Sequence, residues 1–546
     1  SAIPLDDART YEMMTRGETV GVFQVESVGM RKALIGMRPD RFEDIIALVA
    51  LYRPGPMENI PTYNARKHGE EEPDFIHDKI APILKETQGV IIYQEQVMQI
   101  AQVLSGYSLG EADLLRRAMG KKIRAEMDKQ RVRFVEGAVA NGLDKAQSNM
   151  IFDLLAKFAD YGFNKSHAAA YALVAYQTAY LKANHPVEFL AASMTLDAGN
   201  TEKLNDFRMD AMRLGIKIVP PSVQTSFRQF EVCENKIFYA LAAIKGVGEQ
   251  AVDHIVATRG DGSFQSLEDF CARIDPKIVN KRTLEFLIAA GALDCFGHER
   301  ALLCANIDLM ASYALRVHEG RTSGQHDMFG GAGSEPEPLH LNPAQLWTSS
   351  EKLLREFQAI GFYLSAHPLD EYKTTLKRLR VQTHAEVIHA VKRGATAGKL
   401  AGTVTSRQER KTRSGGKLGI IQLSDPSGQY EVVLFSEALY AFRDQLEPGS
   451  SVIVGVSAEE RPEGVSFRVQ SVQSLEDEAV RMQKALRVFM RDANPLQAFR
   501  SQLRADGDSE ISLVLVRDGG EREVEITLPG RYRVSPQMAS VVKAAP

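Results

Sequence analysis

The chain has 546 residues, of which 44% are apolar, 25% charged and 8% aromatic. This length exceeds what one hydrophobic core can organise and predicts roughly three to five domains of ordinary folded protein. Because the formal net charge is −4, a surface that binds nucleic acid must be a local basic patch on an acidic background.

Cysteine spacing and hydropathy exclude several classes of protein. The four cysteines, Cys233, Cys271, Cys295 and Cys304, form no CxxC pair, and no histidine joins them at zinc-finger spacing. We therefore expect reduced thiols and no metal site. No apolar run of about 18 residues and no signal peptide are present, so we expect a cytoplasmic protein with no membrane partner.

Residues 1–190 carry apolar side chains at helical spacing and are predicted to be helical. The clearest predicted helices are Phe42–Leu51, Gln94–Leu104, Ala112–Met119, Ala146–Phe158 and Ala168–Leu181. Residues 195–300 predict short helices with a small β segment near Phe230–Leu241. Residues 318–345, rich in Gly, Ser, Pro and Glu, have the composition of a mobile linker.

Residues 396–475 change to a strand pattern. The predicted strands are Leu400–Val404, Leu418–Leu423, Tyr430–Phe435, Ser451–Val456 and Val465–Val469, with one helix at Glu437–Gln445. Five short strands with a helix after the third are typical of an oligonucleotide-binding (OB) barrel, with a generic five-stranded barrel as the alternative. Residues 485–546 predict a small α/β tail with strands near Ile511–Val516 and Glu523–Leu528.

A basic run between Arg116 and Arg133 is a candidate phosphate-binding surface. It holds eight basic and two acidic residues, a local charge of +6. Fixed cations stabilise the charge that develops on a leaving pyrophosphate, whereas a solvated helix face is the alternative. Further along, Asn164 or Ser166 is predicted to cap a helix whose N-terminus would face an anion.

Two glycine-containing turns predict contact with duplex DNA. Ile244–Glu249, followed by a helix through Ile255, is a helix-hairpin-helix signature, and residues 280–293 form a degenerate second copy. Glycines let backbone amides approach a phosphate without a Cβ in the way, whereas an ordinary turn is the alternative. The predicted DNA-binding residues are Lys245, Gly246, Gly248, Lys281 and Arg282.

The barrel and the linker each offer one further candidate site. The segment Arg407–Lys417 predicts a flexible basic loop in which Arg410, Lys411 and Arg413 follow single-stranded DNA. In the linker, Met328 and Phe329 are adjacent large apolar side chains with no local core to join, a pattern typical of a binding peptide. The alternative is that Phe329 packs against its own domain.

Several strings together resemble the fingers of C-family bacterial DNA polymerases of the replicative type. They are Gly21–Ser27, Ala47–Pro56, Tyr93–Met98, Leu115–Lys122 and Tyr161–His167. The resemblance implies a multidomain α+β protein that adds deoxynucleotides under the direction of a template, with Mg²⁺ held by aspartates of a palm domain. It divides the chain into fingers (1–195), a helix-hairpin-helix and clamp-binding region (196–345), a helical linker (346–395), an OB-fold (396–478) and a tail (479–546).

The resemblance also assigns residues and partners. It implies that the phosphates of the incoming deoxynucleoside triphosphate contact Arg116, Arg117 and Lys121. Lys165 and His167 are expected at the incoming nucleotide or the template strand, whereas a helix cap with a surface Lys and a satisfied His is the alternative. The resemblance implies that a clamp-binding pentapeptide supplies Gln325, Asp327, Met328 and Phe329. The implied partners are primer–template DNA, the beta sliding clamp and, through the tail, the tau subunit of the clamp loader, with the epsilon exonuclease contact outside this portion.

The chain departs from the family at the palm. We find no palm aspartate motif, and Asp6-Asp7 is interpreted as a loop or helix cap rather than a metal site. We therefore expect no catalytic and no metal-binding residue here, and no activity from this chain alone, which begins after the palm. The alternatives are a non-catalytic, clamp-tethered DNA-binding protein and an error-prone member of the same family.

Overall fold

The computed structural model describes most of the chain in two compact units, Ser1–Leu190 and Ala191–Pro546. The residues that it describes are 3–121, 124–159, 162–260, 262–323, 338–411, 416–461, 464–490, 496, 499–500, 503–517, 522–534 and 538. The first unit is helical and the second contains a closed β-barrel, so the predicted α+β class is confirmed. The division into five domains remains a prediction.

The first unit is built from helices around two apolar cores. Its helices are α1 (Ala8–Thr15), α2 (Val28–Met37), α3 (Phe42–Leu51), α4 (Ile60–Lys67), α5 (Ala81–Leu84), α6 (Gln94–Ser105), α7 (Leu109–Lys121), α8 (Arg124–Ala140), α9 (Lys145–Ala159) and α10 (Lys165–Asn184). One core joins α1, α2, α3 and α10, and the other joins α6 to α9. Helix α11 (Pro186–Leu196) follows. All five predicted helices of this unit are present, α3 with the predicted bounds.

Polar side chains fix where these helices begin. Asp7 caps α1 by accepting a hydrogen bond from the backbone N–H of Thr10 at 2.9 Å, which confirms the interpretation of Asp6-Asp7 as a cap. Asn164 caps α10 by accepting one from the N–H of His167, also at 2.9 Å. Each cap satisfies a donor that the helix itself leaves unpaired.

The second unit begins with short helices around a small sheet. Its first elements are α12 (Thr201–Arg213), β1 (Lys217–Val219), β2 (Glu231–Cys233), β3 (Lys236–Phe238), α13 (Glu249–Arg259), α14 (Leu267–Arg273), α15 (Lys281–Ala289), α16 (Arg300–Ala305) and α17 (Ile307–Ser323). Strand β3 lies between β1, which is parallel to it, and β2, which is antiparallel. The predicted start of the linker at residue 318 is wrong, because α17 continues through Ser323.

A closed barrel of five strands follows, in the order β4-β5-β6-β8-β7. Its elements and flanking helices are α18 (Ser349–Ile360), α19 (Lys373–Arg378), α20 (His384–Val391), β4 (Ala397–Lys411), β5 (Lys417–Asp425), β6 (Gly428–Phe435), α21 (Ser436–Phe442), β7 (Ser451–Arg461), β8 (Gly464–Ser474) and α22 (Leu475–Met482). Helix α21 follows the third strand, as predicted. The predicted flexible loop from Arg407 is wrong in part, because residues 407–411 pair with residues 417–421.

The last part of the chain forms a three-stranded sheet in the order β11-β10-β9. The strands are β9 (Ala485–Met490), β10 (Glu510–Arg517) and β11 (Arg522–Thr527). Strands β10 and β11 are the two predicted strands, whereas β9, parallel to β10, was not predicted. Within the described parts of the chain, no helix has the length and apolar character needed to cross a bilayer.

Candidate nucleic-acid interface

In the first unit, the start of α6 connects the basic end of α7 to the N-terminus of α10. The Gln94 side chain accepts a hydrogen bond from Nη1 of Arg116 at 3.4 Å and donates to the carbonyl of Gly162 at 3.1 Å. The Glu95 carboxylate accepts from Asn164 Nδ2 at 2.9 Å and from the N–H of Lys165 at 3.0 Å. Arg116 and the cap of α10 therefore lie on one surface.

Asp113 orients both candidate arginines of α7. Its carboxylate accepts from Arg116 Nη2 at 2.8 Å and from Arg117 Nε at 2.9 Å. The hydrogen bond from Arg116 is the main reason that the pKa of Asp113 lies below its ordinary value. The two guanidinium groups remain partly open to solvent, at 30% and 62% exposure, so they are positioned and still accessible to a phosphate.

The basic run is less positive in the fold than in the sequence. Among its described side chains, Arg133 pairs with Glu111 at 3.4 Å, and Arg131 pairs with Asp153. Three carboxylates from outside residues 116–133 pair with this run: Glu111, Asp113 and Asp153. Counting them lowers the local charge from +6 to +3. The side chain of Lys121 lies outside the described residues.

Lys165 and His167 lie at the start of α10 beside a row of planar side chains. Lys165 Nζ pairs with Glu86 Oε2 at 2.7 Å. The exposed ring of His167 lies between Phe163 and Tyr171, with centroids 5.4 and 4.6 Å away. At one end of the row, the guanidinium of Arg53 covers Phe163 at 4.4 Å. Planar rings and a guanidinium at an exposed edge offer surfaces on which bases can stack.

Unlike Tyr171, which is 38% exposed, Tyr176 is buried in the core of α1, α3 and α10. Tyr176 offers no surface for stacking, and its hydroxyl oxygen accepts a hydrogen bond from the backbone N–H of Asp7 at 3.0 Å.

The described residues do not fit the Mg²⁺ that the sequence resemblance implies. They contain no group of three or more His, Cys, Asp or Glu side chains arranged to hold a metal ion. The Asp7 carboxylate is already engaged by Thr10 Oγ1 at 2.6 Å and Asn184 Nδ2 at 3.0 Å. We therefore derive no chemical step through a metal from these residues.

In the second unit, the first hairpin turn presents its backbone to solvent at the start of α13. Lys245, Gly246 and Gly248 are all exposed. Gly248 is the N-cap of α13, with φ −74°, and the space around an added Cβ would be open. A helix N-terminus without a covering side chain is suited to a phosphate.

Phe286 of α15 brings the two predicted hairpins together. Gly246 has φ +75°, and a Cβ added there would overlap the Phe286 ring, 2.6 Å from Cε2. The guanidinium of Arg282 lies over the same ring, 5.9 Å from its centroid. Lys281, also exposed, pairs with Asp308 at 2.5 Å. The structure therefore gathers the five predicted duplex-binding residues of this unit on one surface, which we call the hairpin surface.

The barrel carries a groove that sequence reasoning did not assign. It has a volume of about 460 Å³ and is lined by residues that include Phe435, Arg461, Phe467 and Arg468. Phe435 is 45% exposed, and the Arg468 guanidinium covers its ring at 4.5 Å. The aromatic residues were visible in the sequence, but only the closed barrel places β6 beside β8 and so brings Arg468 to Phe435.

The remaining predicted sites are only partly described. Arg410 and Lys411 are exposed at the end of β4, where Arg410 Nη2 donates to Gln408 Oε1 at 3.2 Å. Arg413 lies outside the described residues. So do the four residues of the predicted clamp-binding peptide, Gln325, Asp327, Met328 and Phe329.

Three protein-family models match successive parts of the chain. Residues 1–142 match the bacterial DNA polymerase III alpha subunit finger domain. Residues 215–303 match the helix-hairpin-helix motif, and residues 399–475 match the OB-fold nucleic acid binding domain. These ranges contain Arg116 and Arg117, the hairpin surface, and the barrel groove, respectively.

Similarity to curated proteins extends over the whole chain. DNA polymerase III subunit alpha of Caulobacter vibrioides is 46% identical over 549 residues, which cover 100% of this chain and 48% of the relative. The chain is homologous over its whole length to DNA polymerase III alpha subunits. The Escherichia coli K12 member is 40% identical over 98% of the chain and 48% of its own length. The Thermus aquaticus member is 44% identical over 89% of the chain and 40% of its own length.

The chain thus spans about half the length of the alpha subunits it matches. The family resemblance deduced from the finger strings is confirmed, and so are the helix-hairpin-helix and OB parts. Among the residues around the start of α6 and α7, Gln94, Glu95 and Asp113 were not singled out by sequence reasoning. The first two lie inside one of the quoted strings, and Asp113 lies one helical turn before the arginines that it orients.

Proposed function

We propose that this chain supplies the nucleotide-binding and DNA-holding parts of a replicative DNA polymerase. The observation that carries the proposal is its 46% identity, over the entire chain, to a protein named DNA polymerase III subunit alpha. Template-directed synthesis by the intact subunit uses Mg²⁺ and carboxylates that we place outside this chain. The residues of this chain then bind and orient the substrates around that centre.

In the fingers, the phosphates of the incoming deoxynucleoside triphosphate are contacted by Arg116, Arg117, Lys121, Lys165 and His167. The proposal is supported by the shared surface that Gln94 and Glu95 create between α7 and α10. Asp113 and Glu86 hold the basic side chains in place before the substrate arrives, which reduces the entropy lost on binding. The row from Arg53 to Tyr171 receives a base of the template or of the nucleotide.

The hairpin surface holds the duplex product through its phosphates. Lys245, Lys281 and Arg282 supply charge, while the amides near Gly246 and Gly248 supply hydrogen-bond donors that read no sequence. A polymerase needs this kind of contact because it must hold any sequence that it makes. The convergence of both hairpins on Phe286 supports the assignment.

The barrel binds the single-stranded template. Phe435 offers an exposed ring for a base, and Arg461 and Arg468 line the same groove, a combination of stacking and charge suited to single strands. Arg410, Lys411 and Arg413 extend the basic path from the end of the β4–β5 hairpin.

Two protein partners complete the proposal. The peptide from Gln325 to Phe329 has the sequence expected of a ligand for the beta sliding clamp: a leading Gln, a central Asp and two terminal large apolar residues. A tether to the clamp raises the effective concentration of DNA at the active site. We assign binding of the tau subunit to residues 479–546 on the resemblance alone.

The test of the finger assignment is single-turnover nucleotide incorporation by a polymerase that includes this chain. We expect Arg116→Ala to lower the second-order rate constant for the nucleotide roughly 10- to 100-fold, as loss of one charge-assisted hydrogen bond does. Primer–template affinity should stay within about twofold of the parent. Arg131→Ala removes an equally charged residue that pairs with Asp153 on another helix and should leave both quantities unchanged. An unchanged nucleotide dependence with weakened DNA binding would move Arg116 to the DNA backbone.

A further inference from the structure

A second pocket in the Ala191–Pro546 unit has no part in the function proposed above. It has a volume of about 490 Å³ and lies at the C-terminal end of α13, against β2. Phe227, Val232, Phe238 and Val256 give it apolar walls. Volumes of this size are usual for sites that bind small organic molecules. Because α13 has 11 residues, the pocket is about 16 Å along the helix axis from the hairpin surface.

Arg259, the last residue of α13, places a buried charge in this pocket. Only 6% of the residue is exposed, and its guanidinium lies 4.6 Å from the centroid of the Phe227 ring. Its Nη1 donates to the carbonyls of Val223 at 3.0 Å and Ser226 at 2.9 Å. Within the described chain, no acceptor takes a hydrogen bond from its Nε or Nη2.

The charge of Arg259 is not neutralised by a described carboxylate at ion-pair distance. Glu231 also lines the pocket but is exposed to solvent. Burial lowers the pKa of Arg259, and the charge of Glu231 opposes that shift without cancelling it. A buried cation without a carboxylate partner gains most from an anion that can accept hydrogen bonds from its remaining N–H groups.

We propose that this pocket binds a small planar organic anion. The anionic group, a carboxylate or a phosphate monoester, hydrogen-bonds to Arg259, and the planar body lies against Phe227, Val232 and Val256. The apolar walls favour a ligand with a planar ring, and the guanidinium favours a ligand with a negative charge. No covalent chemistry is implied, because Arg259 is a hydrogen-bond donor and not a nucleophile.

Calorimetric titration of the whole chain tests whether binding requires a negative charge on the ligand and whether it occurs in this pocket. The probes are 2-naphthoate, phenyl phosphate and the uncharged 2-naphthamide. We expect at least one anion to bind about tenfold more tightly than the amide. Val232→Trp fills the pocket and should weaken that binding by at least about tenfold. Ile278→Trp is the control, because Ile278 and Val232 are equally exposed, at 37%, and Ile278 does not line the pocket.

Cysteine alkylation gives a second readout that does not depend on a substitution. Cys233 is exposed and lines the pocket, whereas Cys295 is exposed elsewhere. At an anion concentration ten times its dissociation constant, alkylation of Cys233 by iodoacetamide should slow about tenfold, with the rate at Cys295 unchanged. Preference for phenyl phosphate identifies a phosphorylated ligand, and preference for naphthoate identifies a carboxylic acid. No binding of either anion, equal binding of the amide, or binding that survives Val232→Trp overturns the proposal.

Discussion

Gly246 and Gly248 lie two residues apart in the first hairpin, and different physical requirements select glycine at each. Gly246 has φ +75° and touches the Phe286 ring, so a Cβ there is excluded by the fold itself. Gly248 has an ordinary φ of −74° and open space around it. A side chain at Gly248 would meet nothing in the protein, and the open space leaves the amides at the start of α13 accessible to the phosphate that we propose binds there.

Replacement by alanine should therefore affect mainly stability at Gly246 and mainly duplex DNA binding at Gly248. Gly246→Ala should destabilise the protein by about 1–3 kcal/mol, because it adds backbone strain and a clash with Phe286. Gly248→Ala should cost less than about 1 kcal/mol of stability, yet weaken duplex DNA binding about threefold or more by holding phosphates away from the amides. Urea unfolding and fluorescence anisotropy with a short duplex measure the two effects. Equal losses of stability in both variants would remove the functional reason for Gly248.

Side-chain pairing was only partly predictable from the sequence. Asp113 precedes Arg116 and Arg117 by three and four residues on one helix, and this spacing is visible in the sequence. The prediction missed the ion pairs of Asp113 because the count of charges began at Arg116. The pairs Arg133–Glu111 and Arg131–Asp153 join different helices. No local pattern shows them, since they depend on how α8 packs against α7 and α9.

The segment between α18 and α19 is joined to the barrel by a hydrogen bond from a buried histidine. His367 is 8% exposed, and its Nδ1 accepts a hydrogen bond from the N–H of Leu369 at 3.1 Å. Its Nε2 therefore carries the proton and donates to Ser424 Oγ of β5, also at 3.1 Å. Burial lowers the pKa of His367 from 6.5 to about 4, although the nearby Asp370 charge favours the protonated form. The folded protein thus requires the neutral ring.

This requirement makes stability depend on pH over a defined window. Below pH 6.5 the unfolded chain binds a proton that the folded protein does not accept until about pH 4. Stability should therefore fall between these values, by on the order of 3 kcal/mol for this group, and the loss should be complete below pH 4. Comparing urea unfolding of the parent with His367→Asn at pH 7.5 and pH 4.5 isolates the effect. A parent and variant with the same pH dependence would contradict it.

Buried strands and helices were predicted well, and their polar extensions were not. The barrel strands alternate apolar and polar residues where they face the core, which fixes their period. Residues 407–411 are polar and basic, so only their pairing with residues 417–421 identifies them as strand. The end of α17 is similarly polar, and a three-residue strand such as β1 is too short to show a period.

Across the whole chain, the proposed DNA contacts occur in both compact units. The surface that holds Arg116 and the cap of α10 belongs to the Ser1–Leu190 unit. The hairpin surface and the barrel groove belong to the Ala191–Pro546 unit. A net charge of −4 is compatible with the proposed DNA binding, because basic residues are grouped on these surfaces.

The proposed tether to the sliding clamp is testable independently of DNA. Met328→Ala combined with Phe329→Ala should weaken clamp binding at least about tenfold, near 1.4 kcal/mol, because it removes both apolar anchors. Surface binding to the isolated beta clamp is the measurement. His340→Ala changes an exposed residue beyond the peptide and should have no effect. If the double variant binds the clamp as tightly as the parent, the clamp site lies elsewhere.

The claim that the hairpin surface holds duplex DNA is tested most directly by the salt dependence of binding. Lys245→Ala, Lys281→Ala and Arg282→Ala together should lower duplex affinity at least about tenfold and reduce the slope of log affinity against log salt by about two to three. A control that replaces Lys217, Lys377 and Arg378, all exposed residues of the same unit, removes the same charge. It should keep the slope of the parent. Equal losses in both triple variants, or none in the first, would contradict the account.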